Sequence, residues 1–297
     1  MARDTLAELL GILRLERIEE NIFRGPSQDL GWGAVFGGQV LGQALSAAAQ
    51  TVDAERAVHS LHAYFLRQGN AHKPIVYTVD PIRDGRSFTT RRVVAVQDGK
   101  AIFSLAASFQ IDEPGLEHQA EQMPEAPDPE TLRPEDELAR RYIEGLPPAV
   151  QAKIPARMRE RATSPRPIDV RPVNPRDPVR PPAEPARRQV WFKANGALPD
   201  EPAVHRYLLA YASDFHFLVT AMQPHGVSWM TPGMQVASLD HAMWFHRPFR
   251  LDDWLLYDID GPFTGNARGL VRGRFFDRQG RLVASTAQEG LVRDRRG

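Results

Sequence analysis

Two kinds of apolar spacing follow one another along the chain. Val204, Leu208, Tyr211, Phe215, Leu218 and Met222 recur at helical intervals, which predicts one helix over about 203–222. An earlier helix is predicted after Phe36-Gly37-Gly38, over about 38–50. Strand-like segments follow each helix. In the second half these are roughly 234–247, 252–260 with 267–276, and 281–292, divided by turn signals such as Arg278-Gln279-Gly280. Alternation puts Val236, Ser238 and Asp240 on one strand face and Ala237, Leu239 and His241 on the other. In the same way Leu282, Ala284, Thr286 and Gln288 share a face.

The two halves carry the same pattern. Tyr64-Phe65-Leu66-Arg67, Val76-Tyr77, Asp84-Gly85, Asp98-Gly99-Lys100 and Ala106-Ala107-Ser108 reappear in order. Their counterparts are Trp244-Phe245-His246-Arg247, Leu256-Tyr257, Thr264-Gly265, Gln279-Gly280-Arg281 and Ala287-Gln288-Glu289. The offset is 180 at Arg67/Arg247, Tyr77/Tyr257 and Gly85/Gly265, and 181 at Gly99/Gly280. One helix with one antiparallel sheet, repeated, is an α+β layout with the helix packed on a sheet face. Between the copies, residues 114–185 hold 16 of the 25 prolines. Proline removes a backbone donor and fixes φ, so this stretch reads as a connector. A short helix is expected within it near 135–146, where Leu138, Tyr142 and Leu146 recur, and the second copy starts at the alternating Ile168–Val173. The division is residues 1–112, a linker over 113–165, and 166–297.

Composition narrows the function. With 37 basic and 37 acidic residues the formal charge is zero, which argues against a nucleic-acid partner. There is no cysteine, so disulfides, thiolate catalysis and cysteine-bound metal are excluded. Asp4 and Glu8 interrupt the N-terminal apolar stretch, which argues against a signal peptide. No apolar run spans a bilayer, and Arg295-Arg296-Gly297 is not a peroxisomal signal. A cytoplasmic protein is expected. No metal spacing, G-x-S-x-G elbow or dinucleotide fingerprint is present, so no metal or cofactor is expected.

Some residues stand out as chemistry. Asp214 lies on the flank of the apolar helical stripe, with Arg206 and Ser213 on the far side. A carboxylate there costs several kcal/mol unless partnered. It is either functional or a boundary group that reaches solvent or caps a loop. Ser238 is a strand hydroxyl. Gln288 needs partners for both ends of its amide, and the aligned residue in the first copy is Ala107. Asp240-His241 looks like a catalytic pair, but neighbours on a strand point to opposite faces, so a structural histidine is expected. His205 and His216 fall off the stripe and are expected at the surface. Gly37-Gly38 either brings N–H groups to a ligand oxygen or permits tight helix–sheet packing.

Several motifs resemble the acyl-CoA thioesterase II (TesB-like) family. They are Val35-Phe36-Gly37-Gly38-Gln39-Val40, Tyr211-Ala212-Ser213-Asp214, Asp240-His241-Ala242-Met243-Trp244-Phe245-His246-Arg247-Pro248 and Ala284-Ser285-Thr286-Ala287-Gln288-Glu289-Gly290. The resemblance covers nearly the whole chain and is weakest in the linker. It implies a double hotdog, two tandem domains each with a long helix wrapped by an antiparallel sheet. It implies hydrolysis of fatty acyl-CoA to free acid and CoA, with Asp214, Ser238 and Gln288 as the catalytic set. The family has Thr where Ser238 stands, so the hydroxyl is kept but the methyl that restricts χ1 is not. Catalysis is expected from the second copy alone, in a homo-oligomer. Arg67, Arg247, Arg268 and Arg272 are candidates for the CoA phosphates. The alternatives are a non-catalytic acyl-CoA or lipid-binding hotdog protein and a hotdog enoyl-CoA hydratase. The D-x-N-P-x-H pattern of the latter is absent.

Overall fold

The computed structural model describes residues 4–31, 33–154 and 156–296. The first repeat contains α1 (Thr5–Leu13), β1 (Glu16–Glu19), β2 (Ile22–Gly25), α2 (Gly37–Ala49), β3 (Arg56–Phe65), β4 (Ile75–Asp84), β5 (Phe88–Gln97) and β6 (Lys100–Ile111). The connection carries α3 (Glu135–Glu144), α4 (Pro148–Gln151) and α5 (Ala156–Thr163). The second repeat contains β7 (Ile168–Pro172), β8 (Arg187–Ala194), α6 (Pro202–Ser213), α7 (Val219–Met222), β9 (Met234–Ser238), β10 (Asp240–Phe245), β11 (Leu255–Gly265), β12 (Arg268–Asp277) and β13 (Leu282–Asp294).

The repeats do not keep separate sheets. Among the described residues they merge into one 13-stranded antiparallel sheet, ordered β1-β2-β4-β5-β6-β3-β10-β13-β12-β11-β8-β7, with β9 also on β13. The order reads as its own mirror about the β3–β10 junction. There Ala242 faces His62, Trp244 faces Ser60 and Asp240 faces Tyr64. Residues at equivalent repeat positions therefore meet, as a local two-fold axis between His62 and Ala242 requires. Joining the halves at this junction removes two sheet edges at once.

The helices α2 and α6 pack against each other on one face of this sheet, and their contact is close. A Cβ on Gly38 would stand 2.2 Å from the Tyr211 carbonyl oxygen, so only glycine admits α6 here. Each repeat buries an equivalent tyrosine beneath its helix. Tyr77 donates to Gln43 Oε1 at 2.7 Å, and the Tyr257 hydroxyl reaches the Ser213 carbonyl at 3.1 Å. Two layers, helices on an antiparallel sheet, duplicated about a two-fold, make this a double hotdog. No helix among the described residues is long and apolar enough to cross a membrane.

Two elements differ from the expected pattern. The helix expected over 203–222 stops at Ser213. The chain passes through Asp214 and a left-handed His216 (φ 61°) before α7 begins. Periodicity ran across the break because two different clusters supply it. Tyr211 and Phe215 both pack on Phe36, whereas Leu218 and Met222 pack on Val292. The strand expected over 234–247 breaks at Leu239. The Asp240 carboxylate takes the Glu289 N–H at 2.7 Å where a ladder carbonyl would otherwise stand. The linker does form its expected short helix, at Glu135–Glu144.

Candidate active site

Three separate elements bring Asp214, Ser238 and Gln288 together. Asp214 is the C-cap of α6, Ser238 ends β9, and Gln288 lies inside β13. Gln288 Nε2 donates to Asp214 Oδ1 at 3.3 Å and to Ser238 Oγ at 2.5 Å. The second Asp214 oxygen, Oδ2, accepts the Gly38 N–H at 2.9 Å. Gly38 belongs to the first turn of α2, whose N-cap residue Phe36 offers no capping side chain. Asp214 thus caps the helix of the other repeat. Its carboxylate sits at the negative end of its own helix and the positive end of α2. All three side chains come from the second repeat, and the first repeat contributes the backbone N–H of Gly38. A Cβ on Gly37 would lie 2.7 Å from Asp214 Oδ2, so Gly37 keeps space open beside the carboxylate. The glycine pair meets neither expectation as stated: the Gly38 N–H serves the protein's own carboxylate rather than a ligand oxygen, and the close packing is helix on helix rather than helix on sheet.

Burial sets the electrostatics. Asp214 is enclosed by protein yet keeps an accessible edge. Desolvation pushes its carboxyl up from 3.8 to about 6, while hydrogen bonds from Gln288, the Gly38 N–H and the Ser238 hydroxyl draw it back. No cationic side chain contributes to that balance. The result is a carboxylate that is mostly ionised at neutral pH and still basic enough to take a proton.

Behind the three lies a second row. His241 is 1% exposed, and its Nδ1 is 3.2 Å from Gln288 Oε1. Its Nε2 is 3.0 Å from Ser213 Oγ. Burial pushes His241 down to about 4, against the raising effect of its Gln288 hydrogen bond, so the ring is neutral. Asp240 stays on the opposite face, bonded to the Glu289 N–H. Ser213, expected on the far side of the helix, is fully buried. The helix α6 packs against α2, and its residues Leu208 to Ser213 are all buried, which leaves this end of it no solvent face.

The other histidines also depart from expectation. His205 is 2% exposed; its Nε2 meets the Pro199 carbonyl at 3.1 Å and its Nδ1 accepts the Leu251 N–H at 3.0 Å. It braces the loop before α6 against the segment leading to β11. His216 lies 3.4 Å from Glu135 at the start of α3. Burial alone would raise Glu135, but His216 and Arg166 hold it below the usual carboxylate range. This ion cluster ties the linker to the turn that carries Asp214.

Beside that turn is a largely apolar cavity of about 310 Å³, with Glu135, Arg161, Arg166 and His216 also in its lining. Tyr211 and Phe215 of the α6 end form one wall, and Met158, Ala162, Ile168 and Trp229 form others. Two of those residues, Met158 and Ala162, lie on α5 in the linker, which the sequence pattern marked only as a connector. The four candidate arginines do not converge. Arg67 donates to the Ala101 carbonyl and Arg247 to the Leu282 carbonyl. Arg268 pairs with Glu289 and Arg272 with Asp260.

The comparisons with known proteins agree with this architecture. A family model described as acyl-CoA thioesterase matches residues 162–291, and one described as the acyl-CoA thioesterase N-terminal domain matches residues 26–110. Acyl-CoA thioesterase 2 of Haemophilus influenzae is 42% identical over 290 residues, 98% of this chain and 98% of that protein. Human acyl-coenzyme A thioesterase 8 is 40% identical, over 95% of this chain and 88% of that protein. The crystal structure of acyl-CoA thioesterase II TesB2 from Mycobacterium marinum has a TM-score of 0.76 and 44% identity, covering 96% of this chain and 98% of that one. On full-length identity and shared double-hotdog architecture, the chain belongs to the acyl-CoA thioesterase II (TesB-like) family of thioester hydrolases.

Proposed function

We propose that this protein hydrolyses fatty acyl-CoA to free acid and CoA with a water activated by Asp214, whose carboxylate is held in place by Ser238 and Gln288. The observation that carries the reading is the Asp214 carboxylate, raised to about 6 and met by the Gln288 amide and the Ser238 hydroxyl. A thioester carbonyl is electrophilic enough for a positioned water to attack it directly. Asp214 accepts one proton as the water oxygen bonds to the carbonyl carbon. The carbon–sulfur bond then breaks, and the proton held on Asp214 passes to the leaving sulfur. The first N–H of α2, at Gly37, is the candidate donor to the developing oxyanion, since it has no partner within its own helix. The apolar cavity beside Tyr211 and Phe215 suits the acyl chain.

Release of free thiol from a panel of acyl-CoA esters, palmitoyl-CoA among them, tests this directly. Turnover should be abolished or severely reduced in Asp214→Asn and Gln288→Ala. Tight acyl-CoA binding without thiol release by the native protein would instead make it a binding protein.

A further inference from the structure

The amide of Gln288 can face Asp214 in either of two ways. Exchanging its oxygen and nitrogen changes its shape little but reverses its chemistry. Only with the NH₂ toward Asp214 and Ser238 do the carboxylate and the hydroxyl oxygen receive donors. With the amide reversed, an acceptor would confront a carboxylate. Something must select between the two states. Asp214 contributes when ionised, but its proton comes and goes during the proposed reaction.

The other end of the amide meets one partner. Gln288 Oε1 lies 3.2 Å from His241 Nδ1, and Gln288 is 0% exposed, so no water competes there. We propose that His241, held between Ser213 and Gln288, is a positioning residue that keeps the Gln288 NH₂ directed at Asp214 and Ser238. This rests on the hydrolytic reading of Asp214, Ser238 and Gln288.

The hydrogen positions follow from counting. His241 is neutral, so its ring carries one N–H. If that hydrogen is on Nδ1, it donates to Gln288 Oε1. Nε2 then accepts the Ser213 hydroxyl, 3.0 Å away. The chain Ser213→His241→Gln288→Asp214 runs with every donor matched to an acceptor. If the hydrogen is on Nε2, it donates to Ser213 Oγ, which turns its own hydrogen to the Ala210 carbonyl at 2.9 Å. A bare Nδ1 would then face Gln288 Oε1, and the amide would have to reverse. The Ser213 hydroxyl is thus the far end of a single chain of hydrogen bonds whose direction fixes the amide. The ring is held in place by Phe217, whose centroid is 5.7 Å from that of His241. The first repeat has no such chain, because Ala107 stands where Gln288 would be.

Three substitutions at His241 separate positioning from bulk. His241→Asn puts an amide NH₂ near the place of Nδ1, so it keeps the donor toward Gln288. His241→Gln places its amide near Nε2, and His241→Phe fills the space with no donor. Thiol release per folded molecule gives kcat and KM for each. Phe and Gln should lower kcat by about 10- to 100-fold with KM within about threefold, because a misdirected first-contact group costs that much. Asn should stay within about threefold of the native kcat. In a Gln288→Ala background, itself about 100-fold reduced, adding His241→Phe should lower kcat by less than about twofold, since residues acting through one another are not additive. Ser213→Ala tests the same chain if the His241 variants do not fold. It should lower kcat about 3- to 10-fold in the native background and leave the Gln288→Ala background unchanged. The proposal is overturned if Asn is as impaired as Phe, or if losses multiply in the Gln288→Ala background. It is also overturned if Phe is fully active while Gln288→Ala is crippled. If Gln288→Ala turns over normally, it is the hydrolytic reading of the site that fails.

Discussion

Asp214→Asn separates a general base from a structural carboxylate by both rate and pH dependence. The folded carboxyl sits at about 6, against an ordinary value of 3.8. Keeping it ionised in the folded protein therefore costs about 3 kcal/mol, at about 1.4 kcal/mol per tenfold change in acidity. An acid raised on folding holds its proton more tightly folded than unfolded. Its favourable contribution is complete below about pH 3.8 and is lost as pH rises through about 6. Asparagine removes that dependence. It also keeps one oxygen for the Gly38 N–H, so α2 stays capped. Its NH₂ then opposes the Gln288 NH₂, a mismatch of about 1–3 kcal/mol. The absolute change in stability at neutral pH is thus small. The informative quantity is the difference between variant and native unfolding free energies as a function of pH. Between pH 4 and pH 7.5 it should move in the variant's favour by about 2 kcal/mol. At pH 7.5, kcat of the variant should be about 10²- to 10⁴-fold below native, and the gap should narrow towards pH 4. The native kcat/KM should rise with pH through about 6. Urea unfolding and thiol release on the same preparations measure both. Parallel stability curves with full turnover per folded molecule would refute the reasoning, since Asp214 would then be neither strained nor basic.

Three further outcomes are expected. Ser238→Ala should lower kcat less than Gln288→Ala does, and Ser238→Thr should be neutral or favourable because the added methyl restricts χ1; a large loss with Thr would mean the space around Ser238 is too tight for the family's own residue. Gln43 accepts from Tyr77 and Gln39 and donates to the Ile12 and Pro26 carbonyls, so Gln43→Ala should cost about 2–4 kcal/mol of stability, as a buried network losing its hub does, with kcat per folded molecule little changed. Gly38→Ala should destabilise more than any of these, because its Cβ would stand 2.2 Å from the Tyr211 carbonyl oxygen; thermal unfolding near the native temperature would show that α6 can move away at little cost.

Much of this molecule is legible in its sequence. The 180-residue offset at Arg67/Arg247 and Tyr77/Tyr257 implies the duplication. Alternating burial along β12, with Arg268 and Arg272 outward and Val271 and Phe275 inward, follows the alternation of the letters, because side-chain period in a strand is set by the backbone itself. Asp214 was visible as a carboxylate on an apolar flank, and Gln288 as an amide absent from the first copy. Other features lay beyond the sequence pattern because they depend on what a second element contributes. The break after Ser213 was masked because Phe36, Leu218 and Val292 supply two clusters that mimic one helix. His205 and His216 looked exposed on a wheel that assumes solvent behind the helix. Neither Ser213 nor His241 could be joined to Gln288 from spacing, since they lie on a helix end and a strand brought together only by folding.

The division has a physical basis. Local steric and hydrophobic periodicity is written residue by residue, so the sequence by itself determined the elements, their duplication and the types of group able to do chemistry. The β3–β10 junction, the capping of α2 by Asp214, and the raised carboxyl are relations between segments as far apart as Ser60 and Trp244. Desolvation is a property of everything packed around a group, and hydrogen-bond direction is a property of a closed chain of partners. The tertiary structure alone decided those.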